Sequence, residues 1–442
     1  MRKRIALLAA CALMGAAETA RADEGALERA VRADDVAGAK AALAEGANPD
    51  QRLAYAATPL ALAVDRQNAA MVELLLAEGA DPDLFDAEGL APLALACELG
   101  GGAIVEKLLG AGADVRAAGA DGTTPLATCA RFAPAATVAQ MLKLGADARA
   151  VDARGQTPLM WAASSGNLDA MRMVLNAGAD ANRVTKGGFT PLFFAIKSKV
   201  PEATAIMLDA GADPAFIGPE DTSALQLALY QESWDAAAML LRRGPAFDLA
   251  ATDRNGQQPL HVAAKAGATE VVALLLDKGA DPNGTTGPAR VTWVTEANFG
   301  VPPPPVPPTP PLLTAAAHGH VDVMRLLVDG GARPDFTAQN GTNVTLAAAK
   351  GQDADALAYA LALAPDANVA NSGGATPLHL LLYGGMQPAL EPMLKLLRDQ
   401  GARTDIAASG GPTADEVAQK GLTEVRAVYD RVFTPALASS AH

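Results

Sequence analysis

The side chains of this 442-residue chain that could do chemistry are few. His318 and His320 form a His-x-His pair, a spacing that zinc sites use, yet no third ligand lies close in sequence and Gly319 between them marks a turn. Asp81, Asp114, Asp147, Asp180, Asp213 and Asp281 recur as a ladder of carboxylates, the ligand type that calcium takes. Each follows a Gly-Ala pair at the start of a loop, where aspartate bonds to its own backbone and tolerates turn geometry. Cys97 and Cys129 stand five and four residues after Pro92 and Pro125. Matching positions in stacked helices lie roughly 10 Å apart, beyond the Cα separation of about 4.4 to 6.8 Å that a bridge needs, so two buried small residues are expected rather than a disulfide. Neither has a Cys-x-x-Cys partner or a nearby histidine. The sequence carries no EF-hand loop, nucleophile elbow, HExxH motif, phosphate loop or dinucleotide fingerprint. Paired carboxylates for acid or base work cannot be singled out among 49 acidic residues. No catalysis, metal or cofactor is expected.

The elements that would position these residues repeat. Gln156 to Asn182 reads QTPLMWAASSGNLDAMRMVLNAGADAN. Thr157 can cap a helix whose first turn holds Pro158, and Ala162 and Ala163 allow close approach of a neighbour. Gly166 ends that helix in a left-handed conformation. Asn167 can cap a second helix with Met171, Val174 and Leu175 on one stripe, and Gly178 stops the chain again. Neither helix is long enough to stand alone in water, so the unit needs copies of itself on both sides. Pro59, Pro92, Pro125, Pro158 and Pro191 are 33 residues apart, and Gly46, Gly79, Gly112, Gly145, Gly178, Gly211 and Gly244 keep the same step.

This period, with the TPL, LLL and GAD signatures, resembles the ankyrin repeat over roughly Asp23 to Val432. The resemblance implies an all-α ankyrin-repeat solenoid of helix-turn-helix units with short β-turn fingers, some ten or eleven units forming an arc on the order of 100 Å. It also implies a binding scaffold whose partner contacts lie on the finger loops and the concave helix face, and a structural role for His261 and His379 at the TPLH position, bonding within and between neighbouring loops. Residues 23–50 form the N-terminal capping repeat and 406–433 the C-terminal one, with repeats over 51–283 and 312–405 and a frayed tail over 434–442. Ser223-Ala224-Leu225 and Gly244-Pro245 mark a drifted unit.

One stretch breaks the register. Gly279 to Gly331 spans 52 residues, and the excess lies in residues 284–311. Arg290 to Gly300 has the β-branched and aromatic residues of a short strand. Pro302 to Pro311 holds eight prolines, an extended polyproline strut of roughly 30 Å that would lengthen one finger. Trp293 and Phe299 lie outside any repeat stripe and are the first candidates for partner contact, though they could equally pack onto the solenoid. The fingertip residues Phe85, Glu88, Arg154, Lys186, Phe189, Arg254 and Asn255 are the next. Trp161, inside its first helix, is expected in the core.

The N-terminus reads as a targeting signal. Arg2, Lys3 and Arg4 form a basic region, Ile5 to Ala17 an apolar one of thirteen residues, and Ala20-Arg21-Ala22 a cleavage site. Thirteen residues are too few to span a bilayer, so a removed signal peptide over 1–22 and a bacterial-type periplasmic or secreted protein are expected. The alternative is lipidation at Cys11, within Leu8-Ala9-Ala10-Cys11. The net charge of −14 and an aromatic content of 4% disfavour nucleic acid and anionic membranes. The expected partner is therefore a protein, bound by a monomeric solenoid with no membrane insertion. A regulatory variant of this reading is an accessory or inhibitory subunit of an envelope enzyme. A small-ligand binder or enzyme comes third.

Overall fold

The computed structural model describes residues 25–53, 57–86, 89–288 and 307–434. Met1 to Ala22 with Cys11, the strand reading of Arg290 to Gly300, and the prolines 302–305 lie outside them. Two compact units divide the chain, residues 1–213 and 214–442, and the division falls just ahead of the drifted repeat.

The first unit runs α1 Ala26–Arg32, α2 Val36–Ala44, α3 Pro59–Asp65, α4 Ala69–Ala77, α5 Pro92–Glu98, α6 Gly102–Gly110, α7 Pro125–Phe132, α8 Ala135–Lys143, α9 Pro158–Ser165, α10 Leu168–Asn176, α11 Pro191–Ser198 and α12 Pro201–Asp209. In the second are α13 Ala224–Tyr230, α14 Trp234–Arg243, α15 Pro259–Ala266, α16 Thr269–Asp277, α17 Pro311–Ala317, α18 Val321–Asp329, α19 Val344–Lys350, α20 Ala354–Leu363, α21 Pro377–Tyr383, α22 Leu390–Asp399, α23 Ala414–Lys420 and α24 Thr423–Phe433. Among the described residues there is no strand, only two isolated bridges, Ile217 to Ser223 and Ala407 to Thr413. No helix there is long and apolar enough to cross a membrane.

Local chemistry sets each boundary. Thr58, Thr124 and Thr157 accept hydrogen bonds from the N–H groups of Ala61, Ala127 and Met160 at 2.9, 3.2 and 3.3 Å, and a proline opens each of these helices. Asn68 and Asn167 cap the second helices through Met71 and Ala170. Between the two helices the chain turns through the left-handed region, at Gly166 with φ 69° and at Lys199 with φ 61°. The stop glycines from Gly46 to Gly211 are all left-handed. Gly244 is the exception, at φ −81° and ψ 178°. Pro245 follows it, and a residue before proline is pushed to extended geometry, so the drifted unit ends its helix without a left-handed stop.

Burial follows the repeat. First helices are covered on both flanks by their neighbours, with Leu60, Ala63 and Val64, or Leu159, Ala162 and Ala163, removed from solvent. Second helices bury one stripe, such as Met71, Val72 and Leu75, or Met171 and Val174, while Leu175 is half-buried.

Cys97 and Cys129 correct the expectation of two free thiols. They are disulfide-bonded across α5 and α7, with Cα atoms 4.7 Å apart, and both are fully buried. Two features account for it. Buried Ala96 and Ala130 beside them keep side-chain bulk out of this seam, so these helices approach more closely than their mean diameter suggests. The separation of 32 residues rather than 33 also offsets the pair by one position.

A second inter-repeat tie recurs at one loop position. The side chains of Asp50, Asp83, Asn182, Asn283 and Asn368 accept from the backbone N–H of Asp81, Asp114, Asp213, Arg333 and Arg403, at 2.7 to 2.9 Å. Arg116, Arg149 and the three asparagines donate to the stop-glycine carbonyl of the following repeat, Asn182 to Gly211 at 2.9 Å and Arg149 to Gly178 at 2.7 Å. Asparagine alone does both. The ladder aspartates are turn formers, for Asp81, Asp114, Asp147, Asp180 and Asp281 each accept from the N–H two residues on.

The insertion has a defined neck. Thr286 N–H donates to the Thr309 carbonyl at 3.1 Å, and Thr309 N–H donates to Thr286 Oγ1 at 3.1 Å. Pro310 is extended at φ −76° and ψ 161°, but Pro311, read as the last residue of the strut, opens α17. Beyond the insertion the tie resumes, Asn283 donating to Gly331 at 2.9 Å.

Candidate interaction surface

In the first unit the first helices leave one face uncovered. At the fourth position of α3, α5, α7, α9 and α11 stand Leu62, Leu95, Thr128, Trp161 and Phe194, half-buried except for the buried Thr128. One turn later, at the seventh position, stand Asp65, Glu98, Arg131, Ser164 and Lys197. The i, i+3 spacing puts the two rows on the same side of the helices. From α3 to α11 the face therefore pairs an apolar row, broken only by Thr128, with a row whose charge changes sign, acidic at α3 and α5 and basic at α7 and α11.

Trp161 is consequently not the core residue it was expected to be. It is half-buried, the Arg131 guanidinium lies 5.4 Å from its ring centroid and 4.8 Å from that of Phe132, and its indole N–H has no partner among the described residues. Arg131 has no paired carboxylate among the described residues, so the aromatic faces are what hold it. Phe189 is 42% exposed and makes T-shaped contacts with Phe193 and Phe194, with centroids 6.3 and 6.4 Å apart. Burial pushes the Asp65 carboxyl above the usual carboxylate value, although Arg66 opposes the shift.

The fingertip candidates fall in different places. Lys186 N–H donates to the Arg154 carbonyl at 2.9 Å, which joins two fingertips, and Phe189 closes the base of the same finger by accepting from Thr185 N–H at 2.9 Å. Arg154, Lys186 and Phe189 are thus brought together. Phe85 is half-buried, its carbonyl held by Arg52. In the second unit Arg254 stacks 4.6 Å above the Tyr230 ring and bonds its hydroxyl, while Asn255 sits beside it in the turn organised by Asp253. Glu88, Trp293 and Phe299 lie outside the described residues. Sequence reasoning missed Arg131, Phe194 and Lys197. Alignment on the helix-opening prolines would have found the rows.

The histidines serve the backbone. His261 Nε2 is 2.8 Å from the Thr309 carbonyl, and His379 joins Thr376 Oγ1 at 2.9 Å to the Pro412 carbonyl at 3.2 Å. His318 and His320 bond to different carbonyls, Thr314 at 2.9 Å and Lys265 at 3.0 Å. No group of three His, Cys, Asp or Glu residues with metal-binding geometry exists among the described residues.

Residues 27–119, 126–218, 211–286 and 312–408 match the family described as ankyrin repeats (3 copies). The chain belongs to the ankyrin-repeat family. Such repeats are in general protein-interaction modules. No curated protein matches the chain.

Proposed function

We propose that this chain is an exported scaffold that binds a protein partner through its fingers and the free face of its first helices. The observation that carries the reading is the contrast along that face. Buried positions keep Leu and Ala from repeat to repeat, whereas the adjoining half-buried and exposed positions change in size and in charge sign, as packing alone would not require. Export is supported by the Cys97–Cys129 bridge, since stable disulfides persist in oxidising compartments and are rare in reducing ones. The basic and apolar segment before Ala22 agrees with it.

Two experiments test the two halves. Cross-linking in intact cells, followed by capture of the tagged chain and mass spectrometry, should join one abundant envelope protein to finger or first-helix residues. Links only between copies of the chain would refute partner binding. For export, the protein is trapped in acid, denatured and treated with a thiol reagent without reductant. Cys97 and Cys129 should stay unlabelled, and full labelling of both would overturn the oxidising location.

A further inference from the structure

We propose that the free face between α7 and α11 takes an extended segment of a protein partner that carries acidic side chains on either side of an apolar one. This rests on the scaffold reading and adds the chemistry of the partner and its direction.

The chain as a whole repels anions, with a net charge of −14. Residues 131–199 invert that balance, holding nine Lys and Arg against four Asp. Two of the four aspartates are committed to neighbours, Asp152 to Arg154 and Asp169 to Arg172. Arg131 and Lys197 occupy the same helical position two repeats apart, and neither is paired with a carboxylate among the described residues. Trp161 stands on the helix between theirs and Phe194 one turn before Lys197 on α11, with Phe189 continuing the apolar surface.

Aromatics are rare here, yet five of the seven in residues 1–213 fall between Phe132 and Phe194. Trp161 gains nothing polar from the fold, and the equivalent position is filled elsewhere by Leu62 or Leu95, so packing does not demand an indole. A half-buried aromatic surface flanked by two cations matches a peptide whose apolar side chain lies on the rings while flanking carboxylates meet Arg131 and Lys197. Asp65 and Glu98 then set direction, because a carboxylate placed over α3 or α5 meets like charge. That same pair disfavours a uniform polyanion such as nucleic acid, which would have to cross them.

The test is fluorescence anisotropy of the full chain against three labelled peptides of about twelve residues, alternating leucine with glutamate, glutamine or lysine. The glutamate peptide should bind about tenfold more tightly than the glutamine one. Arg131→Gln should weaken it about fivefold, an amount typical of one solvent-facing charge pair, while Lys143→Gln on α8 removes the same charge from another face and should change nothing. Circular dichroism checks that both variants fold. Equal binding of the glutamate and glutamine peptides, tighter binding of the lysine peptide, or equal effects of the two substitutions would overturn the proposal. So would Arg131-dependent binding of single-stranded oligothymidine that displaces the glutamate peptide. The scaffold reading fails separately. A cross-linked cellular partner that the Arg131→Gln, Trp161→Ala variant still captures would remove this surface and leave the scaffold standing.

Discussion

The loop position held by Asn182 shows how little chemistry joins one repeat to the next. Its amide oxygen takes the N–H of Asp213 at 2.7 Å and its amide nitrogen reaches the Gly211 carbonyl at 2.9 Å, whereas Asp83 can only accept there and Arg149 is used only to donate. Asn182→Asp should therefore keep one bond and cost less than Asn182→Ala, which should destabilise by about 1 to 2 kcal/mol in urea unfolding. Equal losses would mean that the acceptor half, which aspartate keeps, contributes nothing. His261 contributes to the pH dependence of the second unit near neutrality. Burial lowers its pKa below the ordinary 6.5, and its bond to the Thr309 carbonyl only partly opposes this. The unfolded chain takes up a proton that the folded chain resists, so this contribution is complete above the unfolded value and declines as pH falls through the lowered folded one. The melting temperature of the wild type should fall more between about pH 7.5 and about pH 5.5 than that of His261→Gln, and parallel falls would remove the histidine as the cause. None of these partners was legible in sequence. A tie from Asn182 to Gly211 becomes visible only once the repeats are stacked, although the turn-forming role of the aspartates was readable from Gly-Ala-Asp alone.

At the level of helices, the sequence spoke most clearly where a residue type has one physical use. Proline at the first helical turn and glycine at a left-handed stop gave the period, the helix starts and the ankyrin fold, and Gly178 at φ 90° is such a stop. Gly178→Val should cost about 2 kcal/mol, because a β-branched residue is strained at positive φ and its Cβ would lie 2.8 Å from the Arg149 guanidinium. An unchanged urea midpoint would sink that account. Where a residue type has several uses, sequence reasoning failed. Half-buried Trp161 and buried Leu159 are both apolar members of one helix, and only the stacked neighbours decide which is covered. The Cys97–Cys129 bridge was missed for a related reason, since the distance between two helices depends on the side chains in the seam and an average diameter cannot supply it.

For the molecule as a whole, the insertion is the largest departure from period, beside a four-residue expansion ahead of Gly401, and its neck shows how the repeats tolerate it. Thr286 and Thr309 bind each other reciprocally, and Asn283 reaches Gly331 at 2.9 Å just as Asn182 reaches Gly211, although 48 residues separate the pair instead of 29. Replacing residues 288–308 by an Asn-Gly turn should therefore shift the melting temperature by no more than about 2 °C. A fall of about 10 °C would show that the excised segment packs against the repeats. The candidates Trp293 and Phe299 lie on that segment, so the same variant reports whether partner capture needs them. A loop whose two ends are already fastened to each other can change its contents without disturbing what stands on either side. Descendants of this gene could lengthen, shorten or exchange the cassette between the threonines while inheriting the repeats intact, which makes this site the cheapest place in the chain for a new specificity to arise.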